Sequence, residues 1–316
     1  MTVRPSVLCP VDFSDGSRAA LRCAVLVAEH FGSRLIVLAI EDPLLTEAVD
    51  LATGVVWDPE ETRRELAHFA RRAIGESPLK AADVHYEVAV GKPAQGILHL
   101  AHEQGCGLIV MSTHGLTGMR KLFFGSTTER VLRETTIPVL ATPPALDVPR
   151  DFEELQRVVR RILVPVDMTS GSGHTVAVGR AIAEVLKVPM LLTHVVEPIR
   201  SPLAARLHLA NIDNERRTRA EDALNATLNS LPPDLQAEAL VAYGDPAEEI
   251  AKLARDRQAG LIVINLHGSP ILGPRMGSVT YRVLCLAPAL VLALPSAAVA
   301  AQEGEVTAKA TSLVYK

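Results

Sequence analysis

The sequence predicts a tandem α/β protein, built from two doubly wound parallel sheets of five strands each. Two observations predict it. Short Val/Ile/Leu runs alternate with helix-period patterns, and the whole alternation occurs twice in the 316 residues. Val7-Leu8-Cys9-Pro10-Val11-Asp12 returns as Ile162-Leu163-Val164-Pro165-Val166-Asp167. Gly91-Lys92-Pro93-Ala94 with Ile97 returns as Gly244-Asp245-Pro246-Ala247 with Ile250. His114-Gly115 returns as His267-Gly268, and Gly125-Ser126 with Arg130-Val131-Leu132 returns as Gly277-Ser278 with Arg282-Val283-Leu284. The offsets are 155, 153, 153 and 152 residues, always in the same order, which marks a duplication.

In the first copy, Ser6 to Val11 reads as a buried strand. Asp15 to Phe31 has helical spacing, with Ala19, Ala20, Cys23, Ala24 and Val27 on one face. Arg34 to Ile40 is a second strand, and Pro59 to Ile74 a helix whose proline suits its first turn. A strand at Val84–Val90, a helix at Pro93–Glu103 and a strand at Leu108–Ser112 follow, then a helix from Ser126 to Arg133 and a strand at Pro138–Ala141. The second copy gives strands near 161–166, 189–196, 237–243, 260–264 and 289–294. Continuous apolar strands separated by helices imply a sheet covered on both faces. The economical topology is a Rossmann-like or flavodoxin-like sandwich of strand order 3-2-1-4-5. The domains are expected at 1–145 and 158–296, with a Pro-marked, charged linker at 146–157 and an Ala-rich tail at 297–316.

Composition narrows the function. The chain is 48% hydrophobic and 22% charged, as a globular protein should be, and only 3% aromatic, which argues against platforms for stacking exposed bases. A net charge of −4 gives no bulk attraction to nucleic acid or anionic membrane. Four scattered cysteines without a CxxC pair, no leader pattern and no apolar run of transmembrane length lead to the expectation of a cytoplasmic protein with buried thiols.

Ligands of open α/β sheets bind beyond the carboxyl ends of the strands, at the switch in strand order. The residues there are Asp12, the loop from Ser112 through Gly118, and Gly125-Ser126-Thr127-Thr128-Glu129 at the start of a helix. Ser126 and Glu129 have capping-box spacing, which predicts Ser126 at the N-cap. Free N–H groups and the helix dipole at such a terminus favour an anion, and Gly115, Gly118 and Gly125 would let a phosphate approach the backbone.

The pattern Ser112-x-x-Gly115, nine residues, Gly125-Ser126 resembles the nucleotide loop of the universal stress protein family, written Gly-x2-Gly-x9-Gly-Ser/Thr. Pro10-Val11-Asp12, Met111-Ser112-Thr113-His114-Gly115 and Ile137-Pro138-Val139-Leu140 are similar to the family too, and the likeness occurs once per half. The resemblance implies an adenine nucleotide, ATP or ADP or AMP, with Mg as the accompanying ion. Asp12 and the backbone of Ile40 would hold the adenine end. Met111, Ser112, His114 and Gly115 would approach ribose and phosphates, and Gly125, Ser126 and Thr127 would take the phosphates. Ser112 departs from the pattern, standing where the family has its first glycine.

The second copy departs further. Asn265 replaces that glycine, eight residues rather than nine separate Gly268 from Gly277, and Pro270 and Pro274 stiffen the loop. Removing one residue shifts the loop's N–H groups by up to about 3.5 Å. The second half is therefore expected to serve as scaffold or pairing partner, while Asp167 and Gly277-Ser278-Val279 persist.

Other motifs are weaker. His99 and His102 lack a third metal ligand, Gly171-Ser172-Gly173 does not continue as a dinucleotide fingerprint, and no phosphate-binding GxxxxGK[ST] occurs. Arg63-Arg64, Arg71-Arg72 and Glu215-Arg216-Arg217 read as solvated helix faces. Three functions remain: a nucleotide-binding stress regulator with little or no turnover, a slow ATPase using His114 and a metal ion, and a ligand-free scaffold. The family resemblance further implies pairing through the last strand: the two halves are expected to pair with each other at Pro138–Ala141 and Ala289–Leu294, the chain being a monomeric pseudo-dimer or a homodimer of such units.

Overall fold

The computed structural model describes residues 5–53, 57–75, 83–113, 125–143, 149, 151–168, 172–199, 210–266 and 276–295. The chain divides into two compact units, the first ending at Leu155 and the second spanning Gln156–Ala297. Unit 1 contains β1 (Ser6–Pro10), α1 (Asp15–Phe31), β2 (Leu35–Glu41), α2 (Pro43–Thr53), α3 (Pro59–Ile74), β3 (Val84–Val90), α4 (Pro93–Glu103), β4 (Cys106–Ser112), α5 (Ser126–Glu134) and β5 (Val139–Thr142). A short helix, α6 (Phe152–Val158), crosses the division. Unit 2 contains β6 (Ile162–Pro165), α7 (Ser172–Leu186), β7 (Met190–Val196), α8 (Ala210–Asn229), β8 (Ala237–Tyr243), α9 (Pro246–Asp256), β9 (Leu261–Asn265), α10 (Ser278–Leu286) and β10 (Leu290–Leu294).

Strands run β3-β2-β1-β4-β5 in unit 1 and β8-β7-β6-β9-β10 in unit 2, and the pairs described within each unit are parallel. The α/β class is the one expected. Each first strand is a switch point: β1 pairs with β2 on one side and β4 on the other, and β6 likewise with β7 and β9. The central strands are buried on both faces, with every residue of Val7–Cys9, Leu35–Ala39 and Ile162–Val164 inside the core. That follows from unbroken apolar runs, which leave no polar face for water.

Helix α1 shows how the layers approach. Ser14 caps it by accepting the Ser17 N–H at 3.1 Å, and Ala20, Ala24 and Ala28 form a small-residue stripe fully buried on the sheet. Ala19 and Val27, expected on that face, lie only half-buried on its flanks. The thiols of Cys9 and Cys23 lie in this interface, where burial pushes both above the ordinary range, Cys23 to about 12. They are packing groups rather than nucleophiles.

Two helices escaped the periodicity reading. Helix α2 has apolar residues at helical spacing, Leu44, Ala48 and Leu51, and exposes Leu44 and Leu51; Asp42 accepts the Leu44 N–H at 2.9 Å just before Pro43. Helix α6 begins inside the segment expected to be linker and runs one residue past it. Asp151 accepts the Glu154 N–H at 2.8 Å, and Phe152 stacks on His30 with ring centroids 3.8 Å apart. Burial holds the His30 pKa below the ordinary histidine value. The expected tail at 297–316 lies outside the described residues. No described helix is long and apolar enough to cross a membrane.

Candidate functional site

The carboxyl ends of the strands gather the expected residues in unit 1. Pro10 ends β1, and the Val11 N–H donates to the Leu38 carbonyl at 2.8 Å, so the chain follows β2 one residue past the strand. Asp12 is half-buried and accepts the Ser14 N–H at 3.1 Å. Between them Phe13 takes the left-handed φ of 61°, and Met168, after the equivalent Asp167, takes the same value. A non-glycine residue held there in both copies stores strain at the mouth of each sheet. Ile40 lies in β2, and Met111 and Ser112 close β4 and are buried. Gly125, Ser126 and Thr127 begin α5. His114, Gly115, the loop to residue 124 and the matching His267-Gly268 with Pro270 and Pro274 lie outside the described residues.

The capping box at Ser126 is corrected. Gly125 is the N-cap of α5, no side chain caps the helix, and Glu129 pairs with Arg133 one turn on. The cause is a tie to the sheet. The Gly125 N–H donates to the Thr113 carbonyl at 3.3 Å, and the Thr128 hydroxyl donates to the Ser112 carbonyl at 2.9 Å. These bonds start the helix one residue early and move Glu129 out of the third helical position that a capping box requires. Unit 2 repeats the device: Gly277 heads α10 without a side-chain cap, its N–H donates to the Leu266 carbonyl at 3.1 Å, and the Thr280 hydroxyl donates to the Asn265 carbonyl at 2.7 Å.

Thr128 and Thr280 were not singled out from the sequence, yet they align within the repeated Gly-Ser segment, which was the available signal. Thr128→Val keeps the shape and removes the donor. Urea unfolding is expected to show about 1 kcal/mol less stability, with Thr280→Val giving the same in the other half.

Three helices elsewhere are capped by side chains, Ser14 on α1, Asp58 on α3 and Asp245 on α9, whereas Lys92 heads α4 without a side-chain cap. The helices that face the strand ends at the switch point are instead headed by bare glycines. Their first-turn N–H groups therefore meet no side-chain oxygen of the cap residue, and the helix dipole is open to an anion.

Unit 2 holds a cleft of about 300 Å³ at this place. From β6 and its exit it is lined by Pro165, Val166 and Asp167, the counterparts of Pro10, Val11 and Asp12. From β7 come His194 and Val195, and β2 and β7 share register from Val7↔Leu35 and Ile162↔Met190, so Val195 is the counterpart of Ile40. From β9 come Ile264 and Asn265, matching Met111 and Ser112. From α10 come Gly277, Ser278 and Val279, matching Gly125, Ser126 and Thr127. Nine positions selected in the first copy thus line one cleft in the second.

The polar groups of this cleft have assigned roles. Asp167 accepts the Ser172 hydroxyl at 2.8 Å. The Asn265 side-chain oxygen accepts the Thr175 hydroxyl at 2.9 Å, which turns its NH2 group the other way. His194 Nδ1 lies 2.7 Å from the Val166 carbonyl; a carbonyl only accepts, so Nδ1 carries the proton. Histidine here was not anticipated, because the first copy has Ala39 at that position.

The second wall of the cleft is α9, through Pro246 and Ile250. At its head Asp245 accepts the Ala247 and Glu248 N–H groups at 3.1 Å each. Arg282 on α10 reaches Asp245 at 2.6 Å and Glu248 at 3.2 Å. The Arg282 hydrogen bond is the main cause that holds the Asp245 carboxyl below the usual carboxylate range.

Two α/β units, each with its strand-order switch at its first strand, define a duplicated protein of the doubly wound class. The universal stress protein family model matches residues 4–143 and again 159–295, and the chain belongs to that family. A universal stress protein of Bacillus subtilis, YxiE, is 32% identical over 142 residues, covering 42% of this chain and 95% of its own. MJ0577 of Methanocaldococcus jannaschii is 26% identical over 148 residues, covering 42% and 91%. Among solved structures, PA1789 of Pseudomonas aeruginosa aligns over 98% of both chains with a TM-score of 0.63 at 20% identity. A universal stress protein of Archaeoglobus fulgidus aligns over 92% of this chain and 98% of its own with a TM-score of 0.60 at 18% identity. These two share the fold over the tandem length.

Proposed function

We propose that the chain is a tandem stress-response protein that binds an adenine nucleotide, ATP or its shorter relatives, and regulates or protects through associations that the nucleotide alters. The observation that carries the reading is the unit 2 cleft, lined by the counterparts of nine positions chosen in unit 1. The same residue types at the same strand ends make unit 1 the second place for a nucleotide. The unit 2 cleft adds a place for a nucleotide to this reading, beside the role of scaffold or pairing partner expected from its altered loop. Asp12 and Asp167 would take the adenine end with the Ile40 and Val195 backbone. The glycine-headed starts of α5 and α10 would receive phosphate, and Asn265 would add an amide donor in unit 2.

Among the described residues no group of three or more His, Cys, Asp or Glu side chains could hold a metal. The domain limits 1–145 and 158–296, pairing of the units through their last strands, homodimerisation and a cytoplasmic location belong to the same proposal.

Mass spectrometry of small molecules released by denaturing the purified full chain is expected to show an adenine nucleotide. Isothermal titration of stripped chain with ATP and AMP is expected to give binding heats. A chain that carries no nucleotide and takes up neither compound overturns the reading in favour of a scaffold.

A further inference from the structure

We propose that His194 sets the base preference of unit 2, accepting the exocyclic amino group of a 6-aminopurine and turning away 6-oxopurines; this rests on the nucleotide reading above. The way donors are spent along the cleft carries it. His194 lines the cleft beside Val166, Asp167, Ser172 and Thr193, on the β6–β7 side. Its Nδ1–H goes to the Val166 carbonyl at 2.7 Å, which fixes the tautomer and leaves the neutral ring a lone pair at Nε2. Nε2 has no partner among the described residues. The other side-chain donors here are spent too. The Ser172 hydroxyl goes to Asp167 at 2.8 Å, and the Thr193 hydroxyl to the Leu240 carbonyl at 3.0 Å. Asp167, as a carboxylate, only accepts. To a ring lying against it, the β6–β7 side therefore offers side-chain acceptors.

The β9–α10 side of the same cleft has the reverse character. The Asn265 side-chain oxygen is taken by the Thr175 hydroxyl at 2.9 Å, so its NH2 group remains. Gly277 heads α10 with no side-chain cap, so the first-turn N–H groups are not taken by an oxygen of the cap residue. Acceptors on one side and donors on the other orient a ligand with an amino group at one end and an anion at the other. A 6-aminopurine nucleotide has both, its amino group toward His194 and Asp167 and its phosphate toward α10. A 6-oxopurine turns a carbonyl oxygen to the same place, where lone pair meets lone pair and the Nε2 acceptor goes unpaired. Unit 1 has Ala39 at this position, so the device is confined to unit 2.

The test is isothermal titration with ATP and with inosine triphosphate, its 6-oxo counterpart, on the full chain carrying Gly125→Asp to silence unit 1. With His194 in place, ATP is expected to bind about tenfold tighter than inosine triphosphate. His194→Gln separates recognition from packing, because a glutamine amide can turn either its oxygen or its NH2 group to the ligand. In that variant ATP is expected to keep its affinity and inosine triphosphate to gain, bringing the two within about threefold of each other. His194→Phe keeps a ring without an acceptor and is expected to weaken ATP more than inosine triphosphate. The same ATP preference in all three chains overturns the proposal. So does an equal loss of both nucleotides in His194→Gln, which is what a packing role gives. ATP bound by wild type but not by the Gly125→Asp chain overturns it as well, since unit 2 then holds no nucleotide. Absence of all binding in wild type refutes the nucleotide reading itself, and the role of His194 with it, a result distinct from the others.

Discussion

Gly125→Asp is expected to leave unit 1 as stable as before, or a few tenths of a kcal/mol more stable, while weakening nucleotide binding there a hundredfold or more. The two signs oppose because the position carries two separable demands. As N-cap of α5, Gly125 has φ −59° and ψ 137°, a conformation open to any residue, so aspartate brings no backbone strain. Its carboxylate can accept N–H groups of the first turn and improve on glycine as a cap by that small amount. The same carboxylate then occupies the place of a phosphate and carries its charge. A hundredfold loss corresponds to about 2.7 kcal/mol, within reach of losing one charge-assisted contact and gaining a repulsion. Gly125→Ser supplies the cap without the charge and is expected to lose less affinity. Thermal unfolding and isothermal titration read the two effects separately. Unchanged affinity in the aspartate variant would show that α5 does not receive the phosphate.

The duplicated sequence made the fold legible because backbone and core are encoded redundantly. Val7–Cys9 and Ile162–Val164 repeat the same apolar strand, and Gly91 and Gly244 repeat a φ of 149° that side-chain-bearing residues rarely adopt. The placement of the candidate residues was legible at the level of strand ends, since Asp12, Ser112 and Gly125 follow from where a parallel sheet opens. What escaped depends on contacts between distant residues. The Thr128 bond to the Ser112 carbonyl spans sixteen residues, and spacing within a helix cannot announce it. Capping chemistry misled for the same reason. Ser126 and Glu129 have the right spacing but the wrong register, whereas Asp151 and Glu154, in a stretch read as linker, make the bond that starts a helix. The His194 bond to the Val166 carbonyl lies across two strands, and it marks a divergence between copies that an alignment of the conserved landmarks passes over.

Divergence without loss is the physical theme of the two halves. Asp245 and Arg282 tie α9 to α10 at 2.6 Å, while Lys92 and Arg130 cannot pair with each other, yet both sheets keep the glycine start and the threonine tie. The parts that hold the helix to the sheet are shared, and the parts that set charge around it differ.

Gly260→Ala is expected to destabilise unit 2 by about 2–3 kcal/mol, the upper range for overpacking a well-filled interior. A β-carbon added at Gly260 would lie 2.5 Å from the Val158 carbonyl oxygen, 2.7 Å from the Val159 α-carbon and 3.0 Å from the Val158 carbonyl carbon. All three are backbone atoms, so no side chain can rotate away. The segment must move as a whole. Movement is costly because it is held at several points: Val159 is 1% exposed, Ile162 enters β6 two residues after Arg160, and the Leu290 N–H donates to the Gly260 carbonyl itself at 3.1 Å. Gly179→Ala makes the informative comparison. Its new methyl would sit 2.6 Å from a Val164 methyl, a side-chain atom, and alanine gains helix propensity inside α7. That variant is expected to lose less than half as much. Urea unfolding of both variants, followed by circular dichroism, checks the order, and a Gly260→Ala chain as stable as wild type would mean that 158–159 yields freely and does not anchor unit 2.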